Sequence, residues 1–197
     1  MNPLHRLVLA VSRISALTGG AMLLLAAIII GIDILMRALL SRSIGGADEL
    51  SGYALAISTA WGLSFALLHR AHIRIDSFYE LLPAAIRAAL DLVSLLCFIL
   101  FMSLIAWHGW GVLSQTLSSG TRSISALATP LVIPQTMWFA GFVFLILVLV
   151  LLFVEALVAW KRGDLPSLST LIGSKAIREE IDEEIEQLQP AKEPFSR

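Results

Sequence analysis

Long stretches without charged residues dominate the chain. Four of them reach roughly membrane-spanning length, and they cover residues 14–32, 50–68, 92–121 and 123–154. Because an α-helix rises about 1.5 Å per residue and the hydrocarbon layer of a membrane is about 30 Å thick, one crossing needs roughly 20 mostly apolar residues. The pattern therefore predicts an all-α membrane protein with four transmembrane helices.

The last two stretches are each longer than a single crossing requires. The sequence between them, from Ser118 to Pro134, is rich in Ser, Thr, Gly and Pro, which favour turns over continuous helix. We therefore expect a loop there. The first stretch is longer than the apolar part of a typical signal peptide and no clear cleavage site follows it, so we expect a retained anchor. The predicted transmembrane domain covers residues 1–163, with spans at about 14–36, 48–69, 89–112 and 134–160.

The basic residues near the span ends indicate an orientation. With the N-terminus inside, the inner flanks hold seven Lys or Arg residues and the outer flanks hold three, which are Arg37, Arg42 and Arg122. Basic flanks tend to remain in the cytoplasm. We therefore expect both termini to be cytoplasmic.

Composition agrees with a membrane protein and excludes several other classes. Hydrophobic residues make up 57% of the chain and charged residues 15%, and the mean hydropathy is +0.84. So few charges exclude a basic nucleic-acid-binding surface, and the single cysteine, Cys97, excludes a disulfide framework. Residues 1–163 hold 10 basic and 7 acidic side chains, whereas residues 164–197 hold 4 and 8. We expect the second region to be an acidic cytoplasmic tail with a short amphipathic helix over residues 174–188.

The second span has a pattern suited to close helix packing. Small residues recur every four positions in two rows, and bulky residues occupy the opposite side. The rows are Ala54, Ser58, Gly62, Ala66 and Gly52, Ala56, Ala60, Ser64, and the bulky residues are Tyr53, Ile57, Trp61 and Phe65. In lipid, close approach of two backbones is a main source of helix pairing. The pattern fits packing within this chain or docking to another membrane subunit.

Few ionisable groups lie inside the predicted spans. Asp33 and Arg37 are four residues apart with the acid first, which favours an ion pair on a helix over the alternative of a proton relay. His108 lies alone in the third stretch, and we expect it to be structural. The sequence shows no nucleotide-binding loop, paired metal-ligand spacing or nucleophile motif. We therefore expect neither an enzyme nor a cofactor or metal site.

The segment between the second and third spans is the most polar part of the predicted membrane domain. It reads HRAHIRIDSFYELLP and alternates charged with apolar residues. Arg70 and Arg74 fit topological anchors, and contact with a partner is the competing interpretation.

One segment carries a resemblance to a known family. It reads GADELSGYALAISTAWGLSFALLHRAHIRIDSFYELLP and ends at Pro83. It places an acidic residue at the start of the second span, Trp and Gly within that span, and a basic HIRID motif before LP. Together with Arg37 and the SISALATPLVIP approach to the fourth span, it resembles the DctQ-type small membrane subunit of tripartite ATP-independent periplasmic (TRAP) transporters. The likeness covers roughly residues 15–160, but the HRAHIR variant departs from many relatives, which have Gly before the His.

The resemblance implies an accessory subunit in a bacterial inner membrane, surrounded by lipid and bound to a large multi-spanning permease. It also implies that a periplasmic binding protein delivers a small organic anion, such as a dicarboxylate or another carboxylic acid, and that an ion gradient drives its symport. The competing hypothesis is a stand-alone four-span carrier or channel that acts as a homo-oligomer. Candidate residues for partner contact or anchoring are Arg37, Glu49, Trp61, Arg70, His72, Arg74 and Asp76.

Overall fold

A computed structural model describes residues 3–69 and 82–163, and these ranges form four α-helices. All four are long and apolar enough to cross a membrane. The prediction of an all-α protein with four membrane helices is therefore confirmed. The helices are α1 (Pro3–Leu40), α2 (Ala47–Leu68), α3 (Ala84–Ser119) and α4 (Val132–Lys161).

Two helices are considerably longer than a membrane crossing. The 38 residues of α1 and the 36 residues of α3 correspond to more than 50 Å of helix each, against about 30 Å of hydrocarbon. In α3 the hydroxyls of Ser114, Thr116 and Ser118 donate hydrogen bonds to carbonyls three or four residues earlier, at 2.8–3.1 Å. The helix continues through this polar end to Ser119, and Gly120, in the left-handed conformation at φ 61°, ends it.

Each helix packs on its neighbours in a defined order. Helix α1 packs on α2, α2 on α4, and α4 on α3. Nδ1 of His5 lies 3.7 Å from a carboxylate oxygen of Glu155, so the start of α1 lies beside the last turns of α4. The first and last helices therefore begin and end at the same end of the bundle. Which side of the membrane this end faces stays a prediction.

The small residues of α2 pack against two different helices. Ser58 lies against Gly19 of α1 and donates its hydroxyl hydrogen bond to the Gly19 carbonyl at 3.0 Å. Ala60 lies against Gly141 of α4, where an added Cβ would stand 2.9 Å from the Ala60 Cβ. Packing within the chain therefore accounts for part of both rows. Gly52 and Ala56 are exposed.

The best-packed part of the bundle lies between α3 and α4. Leu145, Val148 and Leu149 of α4 are at most 1% exposed, and Leu92 and Leu95 of α3 belong to the same cluster. Close packing of this kind holds helices together in lipid, where burial of apolar surface contributes little.

Candidate partner interfaces and the loop cap

The loops that join α1 to α2 and α3 to α4 meet at one end of the bundle. Gly46 has φ 90° and lies against Leu127, and a Cβ at Gly46 would stand 2.5 Å from the Leu127 side chain. The backbone conformation favours glycine here, and any side chain would also force the Leu127 side chain to move. Together, residues 41–46 and 120–131 form a structure that we call the loop cap.

Asp33 holds the first loop of the cap in place. Its carboxylate is 2.5 Å from the Arg37 guanidinium, which confirms the predicted ion pair. It also accepts hydrogen bonds from the Ser43 hydroxyl at 2.9 Å and from the Ile44 backbone N–H at 2.7 Å. Arg37 in turn lies 3.6 Å from Asp48 in the first turn of α2. The Asp33–Arg37 pair therefore connects the end of α1 to the first loop of the cap through Asp33 and to the start of α2 through Arg37.

Glu49 ties α2 to the second loop of the cap. It accepts one hydrogen bond from the Tyr53 hydroxyl at 2.6 Å and another from the Ser125 hydroxyl. The Ser125 oxygen also accepts a hydrogen bond from the Leu127 backbone N–H at 3.2 Å. The position of the loop therefore depends on a carboxylate that comes 76 residues earlier in the chain.

The second loop has internal hydrogen bonds of its own. Thr121 accepts a backbone hydrogen bond from Leu131 at 3.2 Å, and Thr129 accepts one from Ser123 at 2.9 Å. The loop is thereby closed across its base. Its tip presents Ile124, whose side chain is fully exposed.

Trp61 lies between α2 and α4. Its indole N–H donates a hydrogen bond to the Met137 carbonyl at 3.0 Å, and its ring stacks on Phe144 with centroids 5.6 Å apart. It also borders Gly141, where an added Cβ would stand 3.0 Å from the Trp61 ring. The sequence predicts a partner contact for this residue, and the structure gives it a contact within the chain.

The other candidates divide between contacts in the cap and the segment that the structure does not describe. Glu49 contacts Ser125 of the cap, and Arg37 contacts Asp33 in α1 and Asp48 in α2. Arg70, His72, Arg74 and Asp76 lie outside the described residues, so their roles stay predictions. Across the described ranges, His, Cys, Asp and Glu form no group of three or more that could hold a metal ion.

The helices differ in how much apolar surface they leave uncovered. Among the 18 consecutive residues that are most apolar in α1, only 6% are buried, against 28% in each of the other three helices. Leu17, Leu24 and Ile28 of α1 are all at least half exposed. Most of α1 is therefore available to lipid or to another membrane protein.

These features define a multi-pass helical membrane protein in which Asp33, Glu49 and Ser58 join helices and loops of the same chain. Residues 26–159 match the family model described as tripartite ATP-independent periplasmic transporters, DctQ component. Since the match covers more than half of the chain, the protein belongs to this family and is a TRAP transporter small permease subunit. The family is a transporter component and not an enzyme family. No curated protein matches the chain.

Proposed function

We propose that the chain is the scaffold subunit of a three-part uptake system. It supports a large permease that takes up a small organic anion, such as a dicarboxylate or another carboxylic acid, and the gradient of a coupling ion drives this uptake. A periplasmic binding protein delivers the anion, and the complex lies in a bacterial inner membrane with both termini of this subunit in the cytoplasm. The family match over residues 26–159 carries the proposal.

The internal contacts of the bundle support a scaffold. The carboxylates of Asp33 and Glu49 accept hydrogen bonds from the loop cap, where they fix backbone and hydroxyl groups. Small residues bring α2 close to α1 and α4. A bundle held in this way suits a static support against which another subunit moves.

Two surfaces are proposed for the two partners. The permease contacts the exposed apolar side of α1 within the membrane, and Arg70, His72, Arg74 and Asp76 provide polar contacts or anchors at the cytoplasmic end. The loop cap faces the periplasm, where the exposed Ile124 is the candidate contact for the binding protein. Glu49 serves this surface indirectly, because it holds the neighbouring Ser125.

Co-purification from native cells tests the partnership. The tagged chain is extracted in mild detergent, and the proteins that co-purify are identified and quantified by mass spectrometry. We expect a much larger multi-spanning protein in about equal amount, and a lower yield of it with Arg74→Ala. Arg162→Ala is the matched control, because it removes one basic residue from the same predicted side and should leave the yield unchanged.

Two results would count against the proposal. Recovery of the chain alone, under conditions that keep other membrane complexes intact, would contradict a heteromeric scaffold. Equal loss of yield in Arg74→Ala and Arg162→Ala would show that the charge on that side matters and that the Arg74 contact does not.

A further inference from the structure

Contacts between helices fix which residues lie at the same height along the bundle. Starting from the end where α1 begins, the paired positions are His5 with Glu155, Ala60 with Gly141, Gly19 with Ser58, and Gly109 with Trp138. Since every helix rises about 1.5 Å per residue, these pairs place the remaining positions by counting. Gly19 lies 14 residues after His5 and Gly141 lies 14 residues before Glu155, and their partners Ser58 and Ala60 are two residues apart on α2. The two counts therefore agree to within about 3 Å.

At the end where α1 begins, the charges of α1 lie level with apolar surface on α3 and α4. The counting places Arg13 level with Leu147 of α4 and Leu100 of α3. Arg6 and Arg13 are exposed, and Leu147 and Leu100 are 63% and 62% exposed. A flat membrane perpendicular to the bundle axis would put Arg13 and these leucines at the same depth.

At the loop-cap end the relation is reversed, because apolar residues of α1 lie level with polar residues of α3. The exposed Trp107 and Trp110 of α3 lie near the height of Trp138, and tryptophans of this kind mark a membrane interface. Beyond this height α3 becomes polar, and Gln115 is exposed. Helix α1 reaches the same height near Met22 and continues with ten apolar residues, LLLAAIIIGI, for about 15 Å.

No upright position satisfies both ends of the bundle. If the tryptophans of α3 and α4 define the interface, Arg13 lies deep in the hydrocarbon, where an ionised side chain is costly, and exposed leucines of α1 lie in water. If the apolar run of α1 defines it, exposed apolar residues of α4 such as Val154 and Val158 lie in water. If the bundle is inclined, the apolar part of each helix lies in the hydrocarbon and its charged or polar ends lie in water.

We propose that the lipid chains contact a slanted apolar belt on this subunit, so that its bundle axis is inclined to the membrane normal. The belt covers residues 14–32 of α1, 88–110 of α3 and 138–160 of α4. On α1 it lies nearer the loop cap than on α3 and α4, by about 15 Å at the edge near the cap and about 20 Å at the other edge. The start of α1, with Arg6 and Arg13, therefore lies in water on one side. The end of α3 and the second loop of the cap stand clear of the lipid on the other.

The inclination has a consequence for the proposed partners. It raises Ile124 above the membrane surface, where a water-soluble protein can reach it, and leaves the apolar part of α1 within the bilayer. The inclination does not rest on the proposed function, because it follows from the depth of residues in one subunit. The periplasmic position of Ile124 does rest on it.

Depth measurements on two matched pairs of positions test the inclination. The full chain is reconstituted in nanodiscs of phosphatidylethanolamine and phosphatidylglycerol and carries one spin label. Depth is measured from the ratio of collision rates with oxygen and with a water-soluble nickel complex. One pair compares the native Cys97 with Ala10→Cys in a Cys97→Ala background, and the other compares Ile28→Cys with Gln115→Cys in the same background. All four positions are exposed, and the members of each pair lie at the same height.

The two pairs are expected to differ in opposite directions. The label at Cys97 lies deep and the label at position 10 lies at the interface, whereas the label at position 28 lies inside the apolar belt and the label at position 115 lies in water. Equal depth within both pairs would overturn the proposal, as would a difference of the same sign in both. The native Cys97 needs no substitution, and an unchanged melting temperature identifies the variants that fold.

Discussion

The Ser125 hydroxyl donates a hydrogen bond to the Glu49 carboxylate and so joins the α3–α4 loop to the first turn of α2. The same carboxylate accepts a hydrogen bond from Tyr53 one turn further along α2. A single acidic side chain therefore connects two parts of the chain that are 76 residues apart. This contact makes the loop cap part of the folded bundle.

Replacing Glu49 is expected to loosen the second loop of the cap. In Glu49→Ala the hydroxyls of Tyr53 and Ser125 lose their acceptor, so the melting temperature in detergent should fall and residues 120–131 should become more sensitive to protease. Glu49→Gln keeps one carbonyl acceptor and should have a smaller effect. Asp48→Ala is the control, because it removes a carboxylate from the same turn whose contact with Arg37 is exposed to solvent and so contributes little. An equal effect of Asp48→Ala would contradict the role given to Glu49.

Gly141 is expected to tolerate no side chain. An alanine Cβ would stand 2.9 Å from the Ala60 Cβ and 3.0 Å from the Trp61 ring, so Gly141→Ala forces α2 and α4 apart. Overpacking of this kind costs about 1–3 kcal/mol, measured as the free energy of unfolding in mixed micelles. Gly111→Ala is the matched control, since a Cβ at Gly111 meets nothing within 4 Å and alanine favours helix. Equal stability of the two variants would show that α2 and α4 do not pack at this contact.

Trp61 should contribute to stability through its position between α2 and α4. Trp61→Ala removes the hydrogen bond to Met137 and the stacking on Phe144, and a truncation of a buried Trp costs about 3–5 kcal/mol as an upper estimate for this partly buried ring. Trp61→Phe keeps part of the stacking and should cost less. Trp107→Ala is the control, because Trp107 is 76% exposed. If Trp61→Ala left stability unchanged but lowered the yield of the complex, Trp61 would belong to a partner interface.

Exchanging the charges of Asp33 and Arg37 is expected not to restore stability. The Asp33 carboxylate holds the Ser43 hydroxyl and the Ile44 N–H in addition to Arg37, and an arginine at position 33 accepts no hydrogen bond. The double variant Asp33→Arg, Arg37→Asp should therefore melt at a temperature as low as that of Asp33→Ala. Recovery of the original melting temperature in the double variant would reduce the role of Asp33 to a simple ion pair.

The sequence predicted the features that depend on short spacings. The four apolar helices follow from runs of hydrophobic residues, and the pair of Asp33 and Arg37 follows from their separation of four positions. The close packing of Ser58 on Gly19 follows from the small residues of α2, although the sequence left open which helix would cover them.

The sequence did not predict contacts between distant segments. Nothing in the spacing of Glu49 and Ser125 indicates that they meet, because their distance depends on how α2, α3 and α4 are arranged. The hydrogen bond from Trp61 to Met137 has the same origin. The relative heights of the helices, which carry the inclination proposed above, also arise only from packing between helices.

Reconstituted uptake tests the scaffold most directly. The multi-spanning partner that co-purifies is placed in proteoliposomes with or without this chain, and the chain is also reconstituted alone. Uptake of a labelled dicarboxylate is measured with its binding protein under an imposed sodium gradient. The scaffold account predicts uptake when both membrane proteins are present and none from this chain alone. Gradient-driven uptake by this chain alone would contradict it and favour the stand-alone carrier.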